Sequence, residues 1–193
     1  AGEELKMPSQ RQFMRHWFNV MEAAEGKRKL VYADGTPVGD DVSKDLWNYM
    51  SLTDRSRFNG KPCWTWLNSL FREESGKLIV EEDLKVLLDA QGKKCLKGTP
   101  IGLDRYIMKD GWADLSFNSQ NLPTNSSSAQ NYEQGKNLYF YQPRNNTVAG
   151  FVADSDRAYL LCGWNPSYTY SSLGVFASGR SPRSASKNSG GLP

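Results

Sequence analysis

Four short runs late in the chain, at residues 137–142 (NLYFYQ), 147–153 (TVAGFVA), 157–163 (RAYLLCG) and 173–178 (LGVFAS), constrain the fold more than any other feature. Each is rich in β-branched or aromatic residues, and Asn145-Asn146, Asp154-Ser155-Asp156 and Asn165-Pro166-Ser167 supply turn chemistry between them. The spacing predicts consecutive short strands in a small, mainly antiparallel sheet. In the third run Ala158, Leu160 and Cys162 alternate with Tyr159, Leu161 and Gly163, so one set is expected to face a core and the other to face outward.

Upstream the periodicity is helical. Phe13, Trp17, Val20 and Met21 share one face over residues 8–25, with His16 beside that face as a structural or exposed helix residue. Residues 28–38 read as a short strand turning at Asp34-Gly35, and Asp40 or Asp41 caps a second helix whose inner face would be Val42, Leu46, Tyr49 and Met50. Trp64, Leu67, Leu70 and Phe71 predict a third helix over residues 63–74, ended by Ser75-Gly76. After a brief strand at residues 78–80, residues 81–92 predict a fourth, with Glu81 and Glu82 near its positive end. Residues 117–137 are polar, and their Asn and Ser favour turns. The expectation is an α+β fold with helices packed on the sheet. Residues 1–58 would form a helical N-terminal extension, 59–180 the main domain and 181–193 a flexible tail.

The net charge of +3 loses its force once Arg180, Arg183 and Lys187 are assigned to that tail. No basic stripe recurs, so nucleic acid is not an expected partner. No apolar run is long enough to span a membrane, and AGEELKMPSQ lacks a signal-peptide core, so membrane insertion is not expected either. Cys63, Cys95 and Cys162 show neither a disulfide framework nor zinc-site spacing, and read as three buried free thiols, with one disulfide and a leftover thiol as the alternative. With His16 the only histidine, a metal centre or catalytic triad has too few ligands or bases. Asp104, Asp110 and Asp114 read as solvated loop carboxylates.

Residues 154–172 have a different vocabulary. Three Tyr, four Ser, one Trp, one Asn and one Gly stand among nineteen residues, the mixture that paratopes use to combine rigid aromatic area with adjustable hydrogen bonds. Small apolar runs flank them, as when a scaffold presents a recognition loop.

Two resemblances bear on function. Residues 88–112, with Cys95 and Leu103-Asp104-Arg105, slightly resemble the start of an HNH nuclease, although Gly98 stands where the second knuckle cysteine belongs and no histidine follows His16. That leaves a degenerate nucleic-acid-binding protein or nuclease as an alternative reading. A broader resemblance covers the last sixty or so residues: Ala149-Gly150-Phe151, Asp156-Arg157-Ala158, Pro166 and Leu173-Gly174-Val175-Phe176-Ala177, with Leu122-Pro123-Thr124 upstream, resemble the ending of C-type-lectin folds. The similar branch is shared by formylglycine-generating enzymes and the variable proteins of diversity-generating retroelements, in which Leu-Pro-Thr opens a helix. Here Ala149-Gly150-Phe151-Val152 replaces Gly-Gly-Ser-Trp, and Phe176 replaces the final arginine.

The resemblance implies a C-type-lectin-like domain that is not an enzyme, holds no cofactor or metal, and displays a diversified surface to a protein or other cell-surface ligand, on a virion or a cell. Its face would comprise Asp154, Asp156, Tyr159, Leu161, Gly163, Trp164, Asn165, Ser167, Tyr168, Thr169, Tyr170 and Ser171. Cys162 alone cannot supply the cysteine pair of a copper oxidase, and Trp164-Asn165-Pro166 breaks the calcium motif of sugar-binding lectins. A structural virion or adhesin module, with the same face packed against another subunit, is a further alternative.

Overall fold

A computed structural model describes residues 7–51, 63–104, 106–154 and 156–167. Two helices, α1 (Gln10–Ala24) and α2 (Asp40–Ser51), precede seven strands: β1 (Cys63–Glu74), β2 (Lys77–Leu88), β3 (Lys94–Gly102), β4 (Gly111–Asp114), β5 (Asn137–Tyr141), β6 (Thr147–Asp154) and β7 (Arg157–Trp164). The strands form one sheet in the order β3-β2-β1-β6-β7-β5-β4. Every pairing is antiparallel except β5 with β7. The α+β class therefore holds, but seven strands make the sheet larger than expected. The fourth anticipated run, residues 173–178, lies outside the described residues, as do residues 181–193 and most of the polar break at 51–62.

α1 starts where its sequence says it should. Ser9 accepts from the Gln12 amide while the Gln12 side chain accepts from the Ser9 amide, a reciprocal capping box that satisfies two otherwise orphaned donors. Phe13, Met14, Trp17 and Val20 are fully or almost fully buried, and His16 is exposed beside them. Phe13 packs on Phe151 of β6 with ring centroids 4.9 Å apart, and Trp17 meets Trp47 of α2 at 4.8 Å. The Trp17 indole N–H donates to the Met50 carbonyl at 3.2 Å, so the largest core side chain leaves no buried donor unpaired. The start of α1 is also tied to β1: Asn68 N–H donates to the Pro8 carbonyl at 2.8 Å, and Gln10 N–H to Ser69 Oγ at 2.9 Å.

The inner face of α2 is rotated from the expected one. Ser43, Trp47, Met50 and Ser51 are buried, whereas Val42 is 49% exposed. Trp47, omitted from the predicted stripe, is the residue that meets Trp17. Ser51 at the end of α2 then holds the polar segment before β5: its carbonyl accepts from Tyr132 OH, and its hydroxyl accepts from Gln134 Nε2.

The third and fourth predicted helices are strands. Residues 63–74 form β1, and residues 81–92 hold the end of β2 and its turn. The cause differs in the two strands. Along β1, Cys63, Thr65, Leu67 and Phe71 alternate inward, while Trp64, Trp66 and Leu70 pair with the outward side of β6, and the register shift of two residues between Trp66 and Leu70 preserves that phase. Large apolar residues from both sides of the strand therefore sum to a stripe that imitates a period of 3.6. In β2 a bulge between Glu82 and Lys85, with Asp83 at φ 55°, breaks the alternation of residues 81–88. Ser75-Gly76, read as a helix stop, is instead the two-residue turn of the β1–β2 hairpin, with φ of 51° and 74°. Leu122-Pro123-Thr124 opens no helix either. It forms a loop in which Leu122 is buried and Pro123 bridges to Phe117.

All three cysteines are free, but only Cys63 and Cys162 are buried, and Cys95 on β3 is partly exposed. Burial pushes the Cys63 thiol up to about 12, with a hydrogen bond to Tyr49 acting weakly the other way. It also raises Cys162 well above its ordinary value and raises Tyr132. Groups that ionise less readily folded than unfolded stabilise the fold below the unfolded pKa and lose that contribution as pH rises towards the folded one. Urea midpoints are therefore expected to fall as pH rises from about 8.5 towards 12, and Cys63→Ala should make the fall shallower. Trp17→Ala should cost roughly 3–5 kcal/mol at neutral pH, read by the same unfolding measurement.

Candidate recognition face

With the helices on one side, the alternation of each strand decides what the other side carries. β6 is buried along nearly its whole length, with Ala149, Phe151 and Ala153 turned to the helices and Val148, Gly150 and Val152 turned away. Its outer positions are small, and the neighbouring strands place large rings on either side. β1 contributes Trp64 and Trp66, β7 contributes Tyr159 and Trp164, β5 contributes Tyr139 and Tyr141, and β4 contributes Trp112. The rings touch in two groups. Trp164 lies 5.4 Å from Trp64 and 4.7 Å from Trp66 between centroids. Tyr139 lies 5.3 Å from Trp112, 5.1 Å from Tyr141 and 5.9 Å from Tyr159.

Simple alternation would leave Trp164 facing inward, since Ala158, Leu160 and Cys162 of its strand are completely buried. A register shift prevents this: Gly150 pairs with Leu161, but Val148 pairs with Trp164, so β7 carries one extra residue. Thr147 Oγ1 donates to the Cys162 carbonyl at 2.7 Å and holds the irregularity. At Gly163 a Cβ would stand 2.9 Å from the Gln142 carbonyl oxygen, so the backbone passes where no side chain fits. At Gly150 a Cβ would stand 3.1 Å from the Trp164 ring, so this second glycine makes the floor on which the indole rests.

Between the two ring groups is a concavity of about 410 Å³, lined by Trp64, Tyr141, Arg144, Val152, Asp154, Tyr159, Leu161, Gly163 and Trp164. Arg144 and Asp154 are its charged lining, and two ion pairs stand at or beside it. Arg144 Nη2 pairs with Asp110 Oδ2 at 2.6 Å, and Arg157 pairs with Asp156 at 2.5 Å while its guanidinium carbon lies 5.3 Å from the Tyr159 ring centroid. Partial burial raises the Tyr159 hydroxyl pKa, so the phenol is neutral at physiological pH and serves as both donor and acceptor.

The expected face is thus partly assembled. Tyr159, Leu161 and Trp164 stand on the outer side of β7, Asp154 ends β6, and Asp156 lies exposed beside it. Gly163 belongs to the backbone support of Trp164 and has no room to project. Asn165 and Ser167 are exposed in a turn where Asn165 Oδ1 accepts from both the amide and the hydroxyl of Ser167. Tyr168, Thr169, Tyr170 and Ser171 lie outside the described residues. Sequence reasoning missed Trp64, Trp66, Trp112, Tyr139, Tyr141 and Arg144. The signal for the first two was the alternation Cys63-Trp64-Thr65-Trp66-Leu67, obscured by the helical stripe.

The residues of the nuclease-like segment do not converge. Asp104 accepts from Ser119 Oγ, Asp110 pairs with Arg144, and Asp114 stands on β4. Among the described residues no three His, Cys, Asp or Glu side chains gather as metal ligands, and no helix is long and apolar enough to cross a membrane. Cys63 and Cys162 are held protonated by burial, the opposite of what a thiolate nucleophile needs. No protein-family model matches the chain, and neither a curated protein nor a solved structure shows significant similarity to it.

Gly163→Val should therefore lower stability by about 1–3 kcal/mol and red-shift tryptophan emission as Trp164 is dislodged. Gly102→Ala, where a Cβ meets nothing within 4 Å, should leave both unfolding and emission unchanged.

Proposed function

We propose that the chain is a non-enzymatic recognition protein, with a C-type-lectin-like scaffold similar to the variable proteins of diversity-generating retroelements, that binds a protein or other cell-surface ligand. The observation that carries this reading is the outer side of the sheet, where two groups of aromatic rings flank a concavity with two ion pairs at or beside it. Large rings half-covered on a rigid sheet lose little conformational entropy on binding and offer both apolar area and hydroxyl or indole hydrogen bonds, the properties that concentrate binding energy in interfaces. A core, by contrast, already exists on the opposite side.

The motif residues support the scaffold reading by their placement. Gly150 stands at the middle of β6, Arg157-Ala158 opens β7 directly after it, and Pro166 follows in the turn. If the face varies between copies of the gene, steric room limits where. Asp154, Asp156, Tyr159, Leu161, Asn165 and Ser167 can change side chain, whereas Gly150 and Gly163 cannot do so without displacing Trp164 or the Gln142 backbone.

Sibling sequences from one locus should accordingly differ at those six positions and keep both glycines; changes spread evenly over inner and outer residues would contradict the proposal. On a panel of intact cells scored by flow cytometry, the variant Tyr141→Ser/Tyr159→Ser/Leu161→Ser should lose binding while its thermal unfolding stays within a few degrees of the parent, about what loss of partly exposed side chains implies. Retention of binding by that variant would place recognition elsewhere.

A further inference from the structure

The far end of the β2–β3 hairpin leaves the body of the fold. Beyond the bulge at Asp83, Val86, Leu87, Leu88 and Leu96 are 63%, 45%, 67% and 37% exposed, although Val80 on the same strand is buried. Register pairs Val86 with Leu96 and Leu88 with Lys94, which puts three aliphatic side chains on one side of the arm. Residues 85–97 also carry four lysines, Lys85, Lys93, Lys94 and Lys97, against one acid, Asp89. That carboxylate is occupied at the tip, accepting from the Gln91 and Lys93 amides at 3.0 and 2.8 Å. Among the described residues β3 has a strand neighbour on one side only; the Leu96 carbonyl already accepts from Arg72, the Gly98 N–H donates to Glu81 and Pro100 has no N–H, so the stretch that can take a partner strand is the one around Lys94.

An open edge invites pairing, and the lysines and Pro100 of β3 restrict which strand it accepts. We infer that the outer edge of β3 is a docking site for an acidic, extended peptide segment of a partner protein, which adds to the sheet as an eighth strand. The backbone edge supplies the hydrogen bonds, Leu96 meets alternate apolar side chains with Val86 and Leu88 of β2 behind it, and Lys93, Lys94 and Lys97 select carboxylates. Self-pairing of two β3 edges would bring these lysines together, so like charge disfavours a second copy as occupant. An anionic bilayer fits the arm less well, because the tip that would enter first, residues 89–93, carries the Asp89 carboxylate and no large apolar side chain. This surface is separate from the aromatic face, being carried by β3 at the edge of the sheet beyond β1 and β2.

The test uses the full chain and three probes at low ionic strength: a fluorescent peptide of alternating Glu and Val, its Lys-Val counterpart, and vesicles of phosphatidylglycerol with phosphatidylcholine. The acidic peptide alone should bind saturably and slow hydrogen exchange around Lys94. Lys93→Glu/Lys94→Glu/Lys97→Glu should weaken its binding by about tenfold or more without altering thermal unfolding, as expected for removing several surface charge pairs and adding like-charge contacts. The aromatic-face variant Tyr141→Ser/Tyr159→Ser/Leu161→Ser should bind the peptide as the parent does, which keeps failure of one surface distinguishable from failure of the other. Equal binding of both peptides, binding of vesicles in place of the acidic peptide, or reversible dimerisation abolished by the lysine variant would each overturn the inference.

Discussion

The packing of Phe13 and Trp17 of α1 against Phe151 of β6 fixes the architecture on which everything else rests. A sheet has two sides and one helical layer can cover only one of them. Once the aromatic stripe of α1 claims the side bearing Phe151, Ala158 and Leu160, every strand must send its alternate residues to the other side. Trp64, Trp66, Trp112, Tyr139, Tyr141 and Tyr159 are the residues so directed. The two aromatic sets have different environments because of this one choice: Trp17 and Phe151 have no exposed surface, while Tyr141 is 37% exposed.

Bulges then adjust what alternation alone would produce. The extra residue in β7 turns Trp164 outward, and Gly163, Gly150 and the Thr147–Cys162 hydrogen bond make that placement possible. The irregularities in β1 and β2 open a gap that the Pro8 carbonyl fills by accepting from Asn68, and they mark where the β2–β3 arm departs from the core. The same device thus shapes the aromatic side of the sheet at β7 and the arm at the β3 edge.

These irregularities also explain what could and could not be read from the residues alone. α1 was legible because its stripe Phe13, Trp17, Val20 and Met21 runs without interruption, and β7 because Ala158, Leu160 and Cys162 alternate cleanly. β1 and β2 were not, since apolar residues on both sides of β1, and a one-residue bulge in β2, yield apolar spacings of three and four, the same spacings that a helix shows. Ser75-Gly76 compounded the error, because residues that accept positive φ serve both a helix end and a hairpin turn. The candidate face was half legible for a related reason. Composition drew attention to residues 154–172, but Tyr139, Tyr141, Trp64 and Trp66 join the face only through non-local pairing, including a parallel contact between β5 and β7 that no turn signal announces.

Whether the second side of the sheet is a surface in solution can be measured directly by hydroxyl-radical footprinting of the free chain with peptide mass spectrometry. Tyr141 and Tyr159 should be modified readily, and Trp17, Phe13 and Phe151 should remain protected until the protein unfolds. Protection of Tyr141 and Tyr159 equal to that of Phe151 would contradict the assignment and make these rings part of a second core.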